Sequence, residues 1–95
     1  MQDPGRELTR TVIIINELGL HARPAAMIAQ LAQNAQFGVW VQKEGALERM
    51  DAASIIDILT LACAKGTALV FGINNPVDAG VLNEIVELIE NGNLD

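Results

Sequence analysis

The chain has 95 residues, of which 51% are hydrophobic and 19% are charged, a composition that excludes an intrinsically disordered protein. Its length allows one modest hydrophobic core and is too short for two. Twelve acidic residues against six lysines and arginines give a formal net charge of −6. This charge argues against nucleic-acid partners and anionic membrane surfaces, because both are bound through positive charge on the protein.

The cysteine content and the N-terminal sequence predict the compartment. Cys63 is the only cysteine and cannot form an internal disulfide, which fits a reducing cytoplasm. The first ten residues lack the apolar segment of a signal peptide, and no apolar run is long enough to cross a bilayer. We therefore expect a soluble cytoplasmic protein with a flexible N-terminal extension over residues 1–7 and a single domain over residues 8–95.

The first half of the chain predicts a strand, a helix and a hairpin. A high content of β-branched residues predicts a strand over about 8–15, followed by a loop over 16–20. Alanines at helical spacing predict a helix over about 22–35. Alternation of apolar and polar or small residues predicts a second strand over 37–42, which a turn joins to a short third strand over about 46–50.

A second helix is predicted to follow Ser54. Asp57 stands three residues after this serine, in a pattern similar to a capping box. The helix should end at Lys65-Gly66, where a cation in the last turn precedes a glycine suited to the position after the helix. Residues 67–73 then predict a fourth strand.

A third helix completes the chain. Asn75-Pro76 supplies an N-cap and a proline at the first helical position, and Asn91-Gly92 ends the helix. Its apolar stripe consists of Val81, Leu82, Ile85, Leu88 and Ile89. The resulting order, β-α-β-β-α-β-α, favours an α+β open-faced sandwich with helices on one face of a mostly antiparallel sheet.

The residues with chemical potential lie where the first loop meets the first helix. His21, the only histidine, offers a neutral and nucleophilic ring near physiological pH. A helix start provides free backbone N–H groups and the positive end of the helix dipole, which together favour an anion. Arg23 adds a guanidinium suited to phosphate oxygens, and Pro24 is compatible with the first turn. This arrangement is what a residue needs in order to carry a phosphoryl group.

Two segments resemble one known family. Gly19-Leu20-His21-Ala22-Arg23-Pro24-Ala25 is similar to the active-site signature of HPr, the histidine-containing phosphocarrier of the phosphoenolpyruvate-dependent phosphotransferase system. Residues 50–62 resemble the regulatory-serine segment of that family, and Ala64-Lys65-Gly66 resembles its helix exit. The likeness spans about residues 9–92. It implies a four-stranded antiparallel sheet in the order 1-4-2-3, covered on one face by three helices.

The resemblance also implies a bacterial phosphoryl relay. Enzyme I, charged by phosphoenolpyruvate, would pass a phosphoryl group to Nδ1 of His21, and the carrier would pass it to the histidine of a IIA protein or domain. Arg23 matches the arginine that stabilises the moving group, and the backbone N–H groups of Ala22 and Arg23 would help to hold the anion. The expected protein is a monomeric carrier with no metal and no cofactor, rather than a free-standing enzyme.

Ser54 has two interpretations. Helix initiation explains it fully as an N-cap. The resemblance adds phosphorylation by HPr kinase/phosphorylase, which would place a phosphate at the positive end of the helix. Asp51 and Asp57 would repel that phosphate, and Ala53 stands where the family often has a lysine. We therefore expect Ser54 to cap the second helix, and its regulatory phosphorylation is left open.

The second helix is apolar almost all round, although a helix on an open sandwich buries only one side. If Ile58, Leu61 and Ala62 face the sheet, a set of apolar residues is left outward beside His21. That set would be Ile55, Ile56 and Leu59. An exposed patch of this kind is typical of a protein-docking surface. The alternative is that the helix is rotated and these residues belong to the core.

Other functions are weighed against the carrier. The first helix has no basic residue beyond Arg23, and Asp57 stands where the family commonly has glycine or lysine. A regulatory module of a nitrogen-type or incomplete phosphotransferase system, switched by phosphorylation of His21 or Ser54, is therefore the alternative.

A small hydrolase would need a nucleophile, a base and an orienting group, and a metal site would need further ligands. Cys63 is expected to be a buried, inert thiol in the second helix.

Overall fold

The computed structural model describes residues 7–91 and Leu94. The elements are β1 (Leu8–Ile13), α1 (Ala22–Ala32), β2 (Val39–Lys43), β3 (Met50–Asp51), α2 (Ile55–Thr60), β4 (Ala68–Ile73) and α3 (Ala79–Glu90). A 3₁₀ turn, Pro76–Asp78, precedes α3. The predicted order of elements is confirmed. The proposed N-terminal extension lies outside the described residues except for Glu7, whose carboxylate accepts a hydrogen bond from Arg49 at 3.1 Å.

The sheet has the predicted strand order, β1-β4-β2-β3, and every neighbouring pair is antiparallel. β4 is paired on both sides, with Ile73 opposite Leu8 of β1 and Val39 of β2. Alternate residues of β4 are completely buried under the helices, as expected for a central strand with one covered face. They are Leu69, Phe71 and Ile73.

The helices cover one face of the sheet. The buried side of α1 is made largely of alanines, which lets the helix lie close to the strands. The buried side of α3 consists of Leu82, Ile85, Val86 and Ile89. Val81 and Leu88, which the sequence places in the same stripe, are only partly buried. Within the described part of the chain, no helix has the length and apolar composition needed to span a membrane.

The other face of the sheet carries no helix among the described elements. Trp40 lies flat over Gly72 in the next strand, where an added Cβ would be only 2.1 Å from the indole ring. The guanidinium of Arg49 stacks on the indole at 3.7 Å from the ring centroid. This stack shields the centre of the open face from water.

The prediction for the end of α2 is wrong. The helix ends at Thr60 rather than at Lys65-Gly66, and Ala62 adopts a left-handed conformation with φ +51°. The chain turns away because its backbone groups pair with a distant loop: Leu20 N–H donates to Cys63 O at 2.9 Å, and Gly66 N–H donates to Ile14 O at 2.8 Å. Cys63 therefore lies in a loop and not in the helix.

Other boundaries shift by a few residues. α1 ends at Ala32 instead of residue 35. The backbone N–H groups of Asn34 and Ala35 donate to carbonyls three residues earlier, which is the pattern of a 3₁₀ turn and not of an α-helix. β3 is limited to Met50–Asp51, since residues 46–49 are exposed and pair with no strand. β1 ends at Ile13 rather than residue 15, and β2 covers 39–43 rather than 37–42.

Candidate functional site

His21 is the N-cap residue of α1, with an extended backbone at φ −85° and ψ −170°. Its carbonyl accepts the first hydrogen bond of the helix, from the N–H of Ala25 at 3.0 Å. The imidazole itself makes no capping hydrogen bond, and the residue is partly exposed. The ring therefore lies beside the first turn without occupying the N–H groups of that turn.

The first turn of α1 leaves two backbone donors available. Among the described residues, the N–H groups of Ala22 and Arg23 have no partner, whereas the N–H of Ala25 is bonded and Pro24 has none. The turn contains no acidic residue. Two free donors and the positive end of the helix dipole thus lie next to His21, and they form a site that favours an anion.

The two nitrogens of the His21 ring differ in accessibility. Nε2 has less than 1 Å² of accessible surface and no hydrogen-bond partner. A phosphorus atom approaching from solvent therefore cannot reach Nε2. Nδ1 is the ring nitrogen that this burial leaves for an approaching group, and its role as the nucleophile stays a prediction.

A shallow depression of about 660 Å³ opens beside the ring. It is lined by Glu17, Leu18, His21, Ala22 and Arg23. Arg23 takes part in neither ion pair of the described residues, which join Arg49 to Glu7 and Lys65 to Glu17. Its exposed guanidinium is therefore available to an anion in this depression.

The one carboxylate on the rim of the depression, that of Glu17, is paired with Lys65. The hydrogen bond from Lys65, with the attraction of its charge, lowers the pKa of Glu17 below its usual value. The ammonium group offsets the negative charge of Glu17 beside the anion site. Lys65 thus reduces the repulsion that an incoming phosphoryl group would meet.

The loop before His21 is attached to the loop that follows α2. Gly19 has φ +67°, and an added Cβ would lie 2.3 Å from Cys63 O. Leu20 N–H donates to the same carbonyl at 2.9 Å, and the Asn16 side chain donates from Nδ2 to Gly19 O. The position of His21 therefore depends on contacts between segments that are far apart in sequence.

Sequence reasoning did not identify Asn16 or the Cys63 carbonyl as parts of the site. A signal for Asn16 was present in the alternation of β1: Val12 and Ile14 are buried on the helix side, and Asn16 continues the same phase with 4% exposure. A polar residue at an inward position usually has a specific partner. The role of the Cys63 backbone carbonyl, by contrast, could not be predicted from the sequence.

Ser54 is the N-cap of α2, and its Oγ accepts a hydrogen bond from the N–H of Asp57 at 3.1 Å. The reciprocal half of a capping box does not form, because the Asp57 carboxylate accepts from the N–H of Asp51 at 3.1 Å. The Asp51 carboxylate accepts from the N–H of Ala53 at 2.9 Å. Both carboxylates thus belong to the turn that contains Ser54, where they would repel an added phosphate.

The Ser54→Ala variant is expected to lower the free energy of unfolding by about 1 kcal/mol, since the N–H of Asp57 loses its acceptor. Urea denaturation measures this change. Thr60→Ala removes another hydroxyl from α2, one that donates to Ile56 O at 2.8 Å in an exposed position. This control is expected to change stability by less than about 0.5 kcal/mol. Equal losses in the two variants would contradict a capping role.

The three residues proposed for docking, Ile55, Ile56 and Leu59, are exposed by 41%, 75% and 39%. We call them the α2 patch. Ile58 is buried, so the helix presents this side to the core and the α2 patch to solvent. Leu61 is partly buried, but Ala62, which was also expected to face the sheet, is exposed because α2 has already ended.

The α2 patch lies on a helix that runs antiparallel to α1. At one end, Gln33 Nε2 donates to Ala53 O at 3.3 Å. At the other end, Leu20 N–H donates to Cys63 O at 2.9 Å. The C-terminal end of α2 is therefore beside the loop that carries His21, and the patch and the anion site are neighbours.

Cys63 is buried, with 5% exposure. Burial raises the pKa of its thiol, and the positive charge of Lys43 offsets this only in part. A thiol that stays protonated is a poor nucleophile and a poor metal ligand. Among residues 7–91 and Leu94, no group of three histidine, cysteine or acidic side chains is placed to hold a metal ion.

Comparison with known proteins gives one consistent result. Residues 8–91 match the family model described as the PTS HPr component phosphorylation site. The phosphocarrier protein HPr of Pseudomonas putida is 37% identical over 89 residues, which cover 93% of this chain and 92% of the relative. The phosphocarrier protein NPr of Klebsiella oxytoca is 36% identical, with 87% and 91% covered. The crystal structure of HPr-C-His from Thermoanaerobacter tengcongensis has a TM-score of 0.78 at 30% identity, covering 90% of this chain and 93% of that one.

Proposed function

The chain belongs to the HPr family of phosphotransferase-system phosphocarriers, and from this premise we propose that His21 accepts a phosphoryl group from phospho-Enzyme I and passes it to a IIA protein or domain. The observation that carries the proposal is the position of His21 at the N-cap of α1, with Nε2 buried and two free N–H groups alongside. The carrier acts as a monomer in the bacterial cytoplasm, where Enzyme I operates.

The proposed step moves one phosphoryl group between two partners. The lone pair on Nδ1 of His21 forms a bond to phosphorus while the bond from phosphorus to the donor breaks, and the electron pair of that bond returns to the donor. The negative charge of the group then meets the N–H groups of Ala22 and Arg23 and the Arg23 guanidinium. The two backbone donors act on the developing charge at no reorganisation cost, since the helix already holds them in place.

The same site must release the group again. Two backbone donors and one exposed guanidinium stabilise the phosphorylated ring only modestly, because water competes for each of them. The N–P bond therefore keeps a high transfer potential. A deeper pocket with more donors would trap the group and stop the relay.

Incubation with phosphoenolpyruvate and purified Enzyme I tests the proposal. One phosphoryl group, about 80 Da, should be added, should be located at His21 by peptide mapping, and should be lost in acid. The labelled carrier should then charge a IIA domain. No adduct, or an acid-stable adduct at another residue, would overturn the proposal.

The α2 patch is proposed to dock both partners beside His21. The Ile56→Glu variant places a charge at its most exposed residue, where docking would bury it, and should slow phosphoryl acceptance at least about tenfold. Measurement of initial rates with Enzyme I checks this.

The matched control for Ile56→Glu is Leu47→Glu, which makes the same charge change at a residue that is 98% exposed in the hairpin loop. Both variants should keep the stability of the wild type within about 0.5 kcal/mol. Equal rates in the two variants would contradict docking through the α2 patch.

A regulatory module of a nitrogen-type or incomplete phosphotransferase system is the second candidate. The similarity to NPr proteins favours it, as does the absence of any basic residue in α1 beyond Arg23. In this function, phosphorylation of His21 or Ser54 controls binding to a partner, with little onward flux. Transfer to a nitrogen-type IIA but not to a sugar-type IIA would support it. Incubation with ATP and HPr kinase/phosphorylase tests Ser54 separately, because phosphoserine is stable in acid.

A further inference from the structure

The rim of the anion site carries an ion pair to which the transfer step described above gives no role. Glu17 lines the same depression as His21 and Arg23, and Lys65 donates a hydrogen bond to the Glu17 carboxylate. Arg23 already serves as a donor to the phosphoryl group. The pair formed by Glu17 and Lys65 therefore remains to be explained.

The stability of the fold does not account for this ion pair. The side chains of Glu17 and Lys65 are exposed by 74% and 57%, and ion pairs this exposed contribute little to folding. The hydrogen bond and the charge of Lys65 lower the pKa of Glu17, so the carboxylate is ionised at neutral pH. A full negative charge thus stands beside a site that favours anions.

Backbone hydrogen bonds on both sides of Lys65 fix its place in the molecule. Cys63 O accepts from the N–H of Leu20 at 2.9 Å, and the N–H of Gly66 donates to Ile14 O at 2.8 Å. Lys65 lies between these two bonds, so its side chain starts from a fixed point beside the loop that precedes the anion site. The fold therefore brings this ammonium group to the rim.

A compact loop holds Glu17 close to His21. The N–H of Gly19 donates to Asn16 O at 3.1 Å and closes a turn that contains Glu17. The N–H of His21 then donates to Gly19 O at 3.1 Å and closes a second, shorter turn. Because the chain turns twice between them and both side chains line one depression, the charge of Glu17 acts at close range on a group bound to His21.

The two charges of the ion pair have opposite effects on the phosphorylated ring. The Glu17 carboxylate repels the negative phosphoryl group and raises the free energy of the phosphorylated carrier relative to the free carrier. The Lys65 ammonium offsets the field of that carboxylate and lowers the same free energy. A relay must both accept and release the group, so a balance between the two charges suits both steps.

We propose that Glu17 and Lys65 together set the transfer potential of phosphorylated His21, an inference that rests on the function proposed above. Glu17 makes the phosphoryl group easier to pass on, and Lys65 keeps this destabilisation small enough for acceptance from Enzyme I. Neither residue forms or breaks a bond in the step. Both act on the phosphoryl group through their charge.

The equilibrium constant for phosphoryl exchange between Enzyme I and the carrier tests this proposal. It is obtained from the phosphorylated fractions of both proteins, measured by intact mass after phospho-Enzyme I and the carrier have been mixed. Docking changes the rate at which equilibrium is reached but not its position. With one donor throughout, the constant therefore compares the stability of the phosphorylated carrier between variants.

Two variants that break the same ion pair should shift this constant in opposite directions. Glu17→Gln should raise it about threefold in favour of the phosphorylated carrier, and Lys65→Met should lower it about threefold. The double variant should return to within about twofold of the wild type. In 1 M salt, where the Debye length is about 3 Å, each shift should fall below about 1.5-fold.

Glu7→Gln is the matched control, because it removes one carboxylate from another surface ion pair, the one with Arg49. Glu7 precedes β1, whereas the loop that carries Glu17 follows it, and a strand of this length spans about 20 Å at about 3.3 Å per residue. This separation exceeds the Debye length of about 8 Å at physiological salt, so the control should have the wild-type constant.

Each other outcome counts against the proposal in a different way. Shifts of the same sign in Glu17→Gln and Lys65→Met would show that breaking the pair acts through structure, and would overturn it. Unchanged constants in both variants would overturn it and leave the carrier function standing, and a shift in Glu7→Gln equal to that in Glu17→Gln would trace the effect to net charge alone. Failure of Enzyme I to phosphorylate the wild type would overturn the proposed function itself, and this inference with it.

Discussion

The His21→Ala variant is expected to accept no phosphoryl group from phospho-Enzyme I, a fall of more than about 10⁴-fold in rate. No second histidine is present in the sequence, and the only thiol is buried and held protonated. The anion site formed by Ala22 and Arg23 remains in the variant, but binding of a phosphoryl group without a nucleophile produces no covalent adduct.

Intact-mass measurement after incubation with phosphoenolpyruvate and Enzyme I checks this prediction. Gln30→Ala, at an exposed position of the same helix, is the matched control and should be phosphorylated at the wild-type rate. His21→Ala should remain folded, because the imidazole makes no capping hydrogen bond and is partly exposed. An acid-labile adduct that persists in His21→Ala would show that another residue is the acceptor.

The Gly19→Ala variant is expected to lose about 2–4 kcal/mol of stability and to slow phosphoryl acceptance at the same time. The left-handed backbone, with φ +67°, costs about 1–2 kcal/mol for alanine. The new Cβ would also lie 2.3 Å from Cys63 O and 2.9 Å from Cα of Ala64, so the two loops must separate. Separation breaks the bond from Leu20 N–H to Cys63 O and displaces His21.

Urea denaturation and the Enzyme I assay measure the two effects of Gly19→Ala. Gly45→Ala is the matched control, since Gly45 also has a positive φ, +88°, but an added Cβ there meets no atom within 4 Å. The control should lose only about 1 kcal/mol, the conformational cost, and should keep the transfer rate of the wild type. If the two variants lost equal stability, the close approach of Gly19 to Cys63 would not contribute.

Much of the fold could be predicted because the signals are local. The β-branched run of β1, the alanine spacing of α1 and the serine before α2 each specify an element from neighbouring residues. The strand order was implied by the family resemblance rather than by these local signals, and the structure has that order, β1-β4-β2-β3. The position of His21 at the start of a helix could also be predicted, since an N-cap is a local feature.

The errors arose where distant contacts overrode local preference. Ile58 to Gly66 has the composition of a helix, but the chain leaves the helix after Thr60 because Cys63 O and Gly66 N–H pair with the loop and strand end before His21. Residues 46–49 were expected to belong to β3, but only Met50–Asp51 finds a partner strand. Strand formation requires a neighbour, which sequence pattern cannot supply.

The sequence by itself indicated the candidate site residues and the elements that hold them, because caps, strand alternation and helical periodicity act over a few positions. Only the tertiary structure decided which ring nitrogen of His21 is accessible, where α2 ends, and that Asn16 turns inward beside Gly19. These properties depend on burial and hydrogen bonds between loops that are remote in sequence. Such contacts form only when the whole core has packed.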